Sequence, residues 1–138
     1  MNVRWITYSL GTASWAEAFD AHDSAIVDVR ALRDGLGNSM DLLRQKIFEI
    51  CDHLRAGHRT VVCCDHGMSR SNALAAAALA SLEQRSFDSV LLQVIHVTGQ
   101  HAIKSELLAD IREALGESLP SDIALDPSRV LLLGATRF

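Results

Sequence analysis

The strongest restriction on the fold comes from residues 60–84, where a buried strand runs through a short loop directly into a helix. Residues 60–64, TVVCC, form an apolar, β-branched run typical of a buried strand. Residues 71–84, SNALAAAALASLEQ, have the alanine-rich composition of a closely packed helix. Because such strands are buried on both faces, this unit predicts a sheet with parallel strands.

The rest of the chain repeats this alternation. Residues 3–10 and 25–29 are further strand candidates, and residues 30–38 form a loop containing Gly35, Gly37 and Asn38. Apolar residues recur at helical spacing in 40–56, which Asn38 could cap. Further helices are predicted over 13–21, 87–97 and 104–115. The order predicts an α/β fold: a mostly parallel sheet of about four to five strands, covered by helices on both faces.

Composition narrows the class of protein. The 138 residues fit one domain, and the net charge of −4 argues against a general nucleic-acid or membrane-surface binder. No apolar run reaches the length of a membrane span, and the first residues lack the layout of a signal peptide. Three cysteines do not suggest a disulfide framework, so we expect a cytoplasmic protein with reduced thiols.

The loop after the strand at 60–64 is suited to binding an anion. The N–H groups at a helix start lack internal partners, and the helix dipole is positive there. Gly67 permits a tight backbone turn, and Arg70 offers a planar fork for two phosphate oxygens. We therefore expect residues Asp65, His66, Gly67, Met68, Ser69 and Arg70 to hold a phosphate group.

Cys64 stands at the first position of this loop, in the same positive field, which favours the thiolate. A thiolate beneath a bound phosphate is a nucleophile in line with the leaving group. The spacing C-x5-R from Cys64 to Arg70 is therefore a signature of phosphoryl transfer. A buried core thiol is the alternative, but the register of Gly67, Arg70 and Ser71 favours the catalytic interpretation.

At these residues the sequence resembles the cysteine-dependent phosphatases, most closely the dual-specificity branch. The family signature H-C-x-x-G-x-S-R-S stands beside C-C-D-H-G-M-S-R-S here, and WITYSLGTAS is similar to the family's opening strand. The resemblance covers residues 1–116. It implies Cys64 as the nucleophile, Arg70 as the phosphate ligand and Ser71 as a hydrogen-bond donor to the sulfur. Cys63 departs from the pattern, because the family usually has a histidine there.

The resemblance also implies a general acid on a loop about thirty residues before the nucleophile, just ahead of a helix. Asp34 fits both conditions. Asp28, inside the run IVDV, is the rival, and a structural role for both remains open. No cofactor is needed, and the other histidines show no metal-ligand spacing, so no metal is expected. Cys63 should face the other side of the sheet from Cys64, and Cys51 lies on an apolar helix stripe.

The C-terminal residues suggest a different unit. Residues 117–128 contain both prolines and predict a linker. Residues 129–138, RVLLLGATRF, resemble the first strand and turn of the extended short-chain dehydrogenase/epimerase family, although Arg137 replaces the second glycine. The resemblance implies a truncated dinucleotide-binding domain and an NAD-dependent epimerase or dehydrogenase as a fused or associated partner.

Three functions stay open from the sequence. The first is a phosphatase acting on a phosphorylated protein or a small phosphate ester. The second is a rhodanese-fold protein, because VDVR before a C…RS loop also occurs in that family. The third is a non-catalytic anion-binding domain that regulates a fused partner.

Overall fold

A four-stranded sheet organises the chain. The computed structural model describes residues 3–21, 23–66 and 69–116. The strand order is β1-β2-β4-β3, with β1 antiparallel to β2 and the other pairs parallel. The strands are β1 Arg4–Trp5, β2 Leu10–Ser14, β3 Ala25–Asp28 and β4 Thr60–Cys64. The helices are α1 Trp15–Ala18, α2 Met40–Arg55, α3 Arg70–Glu83, α4 Phe87–Thr98 and α5 Ser105–Leu115. The predicted α/β class and mostly parallel sheet are confirmed.

The two faces of the sheet are covered unequally. Side chains of α2 to α5 form the large core with Leu10, Val27, Val62 and Cys64. The opposite face holds a small cluster of Ala13, Ala18, Ala21, Val61 and Cys63, flanked by partly buried Val3, Trp5 and Trp15. Helices therefore lie on both faces as predicted, but among the described residues the second face carries only the four-residue helix α1.

Helix α3 is the centre of the larger layer. Every residue from Ser71 to Ala80 is buried, and α3 contacts α2, α4, α5 and two strands. A helix buried all round needs small side chains so that its neighbours can approach closely. The alanine-rich stretch of α3 provides these small side chains. The close packing that they allow holds the start of α3 next to the end of β4.

The prediction of one strand over residues 3–10 is wrong. The chain turns between β1 and β2, and the Thr7 hydroxyl accepts hydrogen bonds from the N–H groups of Ser9 (3.2 Å) and Leu10 (3.0 Å). Such side-chain bonds compete with extended backbone. Gly11 lies inside β2, where a Cβ would come within 2.9 Å of the Trp5 ring, so the close approach of Trp5 favours glycine.

Helix boundaries otherwise follow the predicted ones closely. Ser39 caps α2, with its hydroxyl accepting from the Leu42 N–H, so the predicted cap at Asn38 is one residue off. Helix α1 is shorter than the predicted 13–21, because Ser14 and Glu17 form a capping box that starts the helix at Trp15. None of the helices in the described ranges is long and apolar enough to cross a bilayer. The predicted linker and final strand at 117–138 lie outside the described residues.

Candidate active site

The C-terminal end of β4 is where the predicted site residues meet. β4 lies between β2 and β3, and its last residue, Cys64, is paired in register with Ser14. Cys64 is buried, and it belongs to the core on the α3 side of the sheet. The chain then reaches the start of α3 at Arg70. Gly67 and Met68, two of the predicted phosphate-binding residues, lie outside the described residues.

The first turn of α3 is left open to an anion. Its N–H groups have no partner within the helix, and the positive end of the dipole points at the loop. The first turn contains no acidic residue, and the N-cap residue, Ser69, makes no side-chain cap hydrogen bond. The helix itself therefore supplies neither an acidic side chain nor a capping hydroxyl to the N–H groups of its first turn.

Ser71 presents an unpaired hydroxyl at the same place. The residue is fully buried, and its Oγ has no hydrogen-bond partner among the described residues. A buried hydroxyl without a partner costs free energy and calls for an explanation. The structure shows no hydrogen bond from Ser71 Oγ to the Cys64 sulfur, so the donor role of Ser71 stays a prediction.

Arg70 is held on three sides. Its Nη1 donates to the carbonyl oxygens of Arg30 (2.9 Å) and Leu32 (3.0 Å), and its Nη2 donates to the Asp65 carboxylate (3.0 Å). The guanidinium is thus fixed between the phosphate loop and the segment after β3. Asp65 is a loop residue whose side chain is 54% exposed, so its carboxylate can leave Arg70 for water.

Asp34 lies against the phosphate loop. Its Oδ1 accepts a hydrogen bond of 2.6 Å from the Ser69 hydroxyl, across 35 residues of sequence. Ser69 is buried, whereas Asp34 is exposed. The structure therefore brings the predicted acid within one side chain of the loop that begins at Cys64.

Asp28 is engaged differently. Its carboxylate accepts hydrogen bonds of 3.0 Å from both the backbone N–H and the Nε of Arg30. The hydrogen-bonded guanidinium lowers the pKa of Asp28 below its ordinary value. A carboxyl with a lowered pKa is a poor proton donor near neutral pH. The contacts of Asp28 thus fit a structural role that orients Arg30.

Cys63 faces away from this site. It is fully buried among small apolar side chains on the opposite face of the sheet. Burial raises the pKa of the Cys63 thiol to about 11, and the Asp28 carboxylate acts in the same direction. Cys63 therefore stays a neutral thiol at physiological pH. Cys51 is also buried, and all three cysteines are free thiols.

Several residues at the site were not predicted. Thr12 and Asn72 are fully buried, and the Thr12 hydroxyl donates to Asn72 Oδ1 at 2.7 Å, which joins β2 to the start of α3. The Arg30 guanidinium lies 3.7 Å from the centroid of the Trp15 ring. The polar pair Ser71-Asn72 opens an alanine-rich helix, and this contrast could have indicated Asn72. Nothing in the sequence pairs Trp15 with Arg30.

His66 is exposed, and the described residues contain no cluster of three or more His, Cys, Asp or Glu side chains that could hold a metal ion. The site therefore consists of a thiol, a guanidinium, hydroxyls, a carboxyl and a helix start. This set can bind a tetrahedral oxyanion and transfer a proton.

Comparisons with known proteins find similarity in structure but not in sequence. No protein-family model and no curated protein matches the sequence. Solved structures do match. Tk-PTP in its active form aligns with a TM-score of 0.69 at 15% identity over 84% of this chain and 97% of its own. Human DUSP28 aligns at 0.68 and 17% identity, over 83% and 96%.

A third match is the human tyrosine phosphatase-like serine/threonine/tyrosine-interacting protein, with a TM-score of 0.65 and 13% identity over 90% of this chain and 98% of its own. Identities this low show a shared backbone arrangement. The chain has the fold of the dual-specificity and tyrosine phosphatases.

Proposed function

We propose that this chain is a cysteine-dependent phosphatase that hydrolyses phosphomonoesters through a phosphocysteine intermediate. The observation that carries the proposal is the 2.6 Å hydrogen bond between Asp34 and Ser69. It places a carboxyl beside the same loop that joins Cys64 to the open start of α3. A nucleophile, an anion site and a proton donor thus converge at one end of the sheet.

In the first step the Cys64 thiolate attacks phosphorus, and the bond from phosphorus to the ester oxygen breaks. Asp34, as the neutral acid, gives its proton to the departing oxygen, which would otherwise leave as a poor leaving group. The phosphoryl group, now on sulfur, keeps its oxygens on the N–H groups of the loop and on Arg70.

The Asp65 carboxylate holds Nη2 of Arg70 before substrate binds. A substrate phosphate replaces that carboxylate as the acceptor, and Asp65 turns to water. The two bonds from Nη1 to backbone carbonyls keep the guanidinium in place during the exchange.

In the second step a water molecule attacks phosphorus and the bond from sulfur to phosphorus breaks. Asp34, now a carboxylate, takes the proton of that water. The buried Ser71 hydroxyl donates a hydrogen bond to the departing sulfur, which stabilises the thiolate. Inorganic phosphate leaves, and both Cys64 and Asp34 return to their starting states.

For substrates we propose phosphorylated protein side chains or a small sugar or nucleotide phosphate. No nucleic-acid or membrane partner is proposed, in keeping with the net charge of −4. A cytoplasmic location and an epimerase or dehydrogenase partner after residue 128 remain predictions from the sequence.

The test is hydrolysis of a small aryl phosphate between about pH 4.5 and 8, the range in which a nucleophile and an acid show opposite limbs. We expect Cys64→Ser to abolish turnover and Asp34→Asn to lower turnover across this range, because the leaving oxygen then lacks a proton donor. Asp23→Asn is the matched control, because Asp23 is an exposed carboxyl before β3, at the other end of the strands. Turnover that survives Cys64→Ser would refute the proposal.

A non-catalytic anion-binding domain is the second candidate. The Asp65–Arg70 ion pair supports this candidate, since the Asp65 carboxylate binds the arginine that would hold the phosphate. Cys63, which stands where the family has a histidine, also supports it. Tungstate binding without turnover of any aryl phosphate would favour this candidate. The solved structures reported above do not support the rhodanese alternative. Sulfur transfer from thiosulfate would be evidence for it.

A further inference from the structure

We propose that Asn38 and Asp110 are positioning residues that hold Asp34 in place for proton transfer. The inference rests on the proposed function and adds to it two residues that the family signature does not contain. Both lie outside the phosphate loop, and Asp110 is 76 positions after Asp34 in the sequence (110 − 34 = 76). Their contacts form a brace around the segment that carries Asp34.

Asn38 binds the backbone on both sides of Asp34. Its Oδ1 accepts from the Arg33 N–H (2.7 Å), and its Nδ2 donates to the Arg33 carbonyl (3.1 Å) and to the Gly35 carbonyl (3.0 Å). The two residues bound are the immediate neighbours of Asp34. One amide therefore fixes the backbone from which the acid side chain projects.

Asp110 fixes Asn38 in turn. Its Oδ2 accepts from the Asn38 N–H (3.1 Å) and from Asn38 Nδ2 (3.3 Å). Asp110 belongs to α5, which is anchored in the core by the fully buried side chains of Leu107 and Ile111. The brace thus ends on a helix packed into the core and not on another loop.

The start of α5 reaches the site from the other direction. The Lys104 N–H, at the N-cap of α5, donates to Ser69 Oγ at 3.4 Å, and the Ser69 hydroxyl donates to Asp34. Helix α5 is therefore connected to Asp34 by two routes, one through Ser69 to the carboxyl and one through Asn38 to the backbone.

Such a brace matters because the bonds from Arg70 hold the carbonyls of Arg30 and Leu32, which precede the residues around Asp34. Asp34 is exposed, Gly35 has open space around its Cα, and Gly37 has a φ of 92° that few other residues adopt. Two glycines in four residues give this segment many conformations when free. Proton transfer needs the acid at hydrogen-bond distance from the leaving oxygen.

The test compares two esters that differ in their need for an acid. The p-nitrophenolate group leaves readily without a proton, whereas the phenolate of phenyl phosphate needs one. We expect Asn38→Ala and Asp110→Ala to lower turnover of phenyl phosphate by about tenfold, because misplacement of a catalytic group is costly. Turnover of p-nitrophenyl phosphate should fall by less than about threefold, because that ester draws little on acid catalysis.

Glu113→Ala is the matched control, since Glu113 is an exposed carboxyl on the same helix and should leave both esters unaffected. Asp110→Asn keeps a carbonyl acceptor for Asn38 and should restore most of the loss. Asn38→Asp removes the Nδ2 donor and places a second carboxylate beside that of Asp110. We expect the same selective loss from this variant.

Equal losses on both esters, or none, would overturn the positioning role if Asp34→Asn still shows the selective loss. If the unmodified protein turns over neither ester, the proposed function fails and the inference fails with it. Selective loss in Asp34→Asn without selective loss in the Asn38 and Asp110 variants overturns the inference alone.

Discussion

Cys63 and Cys64 are neighbours in sequence and lie in opposite environments. Cys63 is sealed among small apolar residues beneath Trp5 and Trp15, and burial raises the pKa of its thiol to about 11. Cys64 lies in the core on the α3 side of the sheet, at the end of the strand that leads into the loop before α3. The side-chain period of two along β4 separates them. A shift of one residue along β4 thus decides which cysteine faces the proposed active site.

Burial alone does not distinguish the core thiol of Cys63 from Cys64, the proposed nucleophile. Both thiols are almost inaccessible, at 0% and 2% exposure. What differs is the charge and hydrogen-bonding capacity of the surroundings, which control thiolate formation. Four predictions test this contrast.

The largest expected effect is on catalysis. Cys64→Ser should lower aryl phosphate turnover by at least about 10⁴-fold, because a hydroxyl in its place has no base to activate it. Cys63→Ser should retain turnover within about tenfold, since its side chain contacts the other face. Steady-state kinetics of the two variants decide the matter, and comparable losses in both would break the contrast.

Alkylation should distinguish the thiols in the unmodified protein. At about pH 7, iodoacetate is expected to modify Cys64 at least about 100-fold faster than Cys63, because the thiolate is the reactive form and burial raises the pKa of Cys63 to about 11. Tungstate should protect Cys64 by occupying the anion site. Peptide mass spectrometry over time measures both rates, and preferential labelling of Cys63 or Cys51 would count against the account.

Stability should respond to the two serine substitutions in the opposite order to catalysis. Cys63→Ser is expected to lower the free energy of unfolding by about 1–3 kcal/mol, because it buries a hydroxyl without a partner. Cys64→Ser should cost less, since residue 64 ends β4 and is followed at once by the exposed loop residues Asp65 and His66. Urea unfolding of both variants, with Cys63→Ala as the control, would show equal costs if the two surroundings were alike.

The smallest effect concerns alkaline pH. The pKa of Cys63 is raised from 9.0 to about 11 in the folded state, so the folded protein keeps a proton that the unfolded chain loses. The stability contribution is complete below about pH 9 and is lost as the pH rises to about 11. Relative to Cys63→Ala, the protein should lose roughly 1 kcal/mol by pH 10. Parallel pH profiles of unfolding would contradict this.

Much of the fold was accessible from the sequence because local pattern and tertiary packing agree there. β4 has the predicted bounds, and α4 spans Phe87–Thr98 where a helix over 87–97 was predicted. The N-terminal hairpin was missed because a threonine side chain, not a glycine or proline, makes its turn. Hydroxyl-to-backbone bonds leave almost no signal in one sequence.

The site divides in the same way. The spacing of one short motif predicts Cys64 and Arg70, whereas the role of Ser71 is implied by the family resemblance, and all three roles stay predictions. Asp34 could be preferred to Asp28 only by a distance along the chain, and the structure adds contrasting contacts for the two. The pairing of Asn38 with Asp110 was beyond prediction, because it depends on how α5 packs against α2 and α3.

The most direct test of the central claim is to locate the phosphoryl group on the enzyme. Ser71→Ala should slow departure of the sulfur, so acid quenching during turnover of p-nitrophenyl phosphate should trap a phosphorylated protein. The account predicts that peptide mass spectrometry finds the phosphoryl group on Cys64. A phosphoryl group on Cys63 or another residue, or release of nitrophenol with no trapped phosphocysteine and no loss in Cys64→Ser, would contradict it.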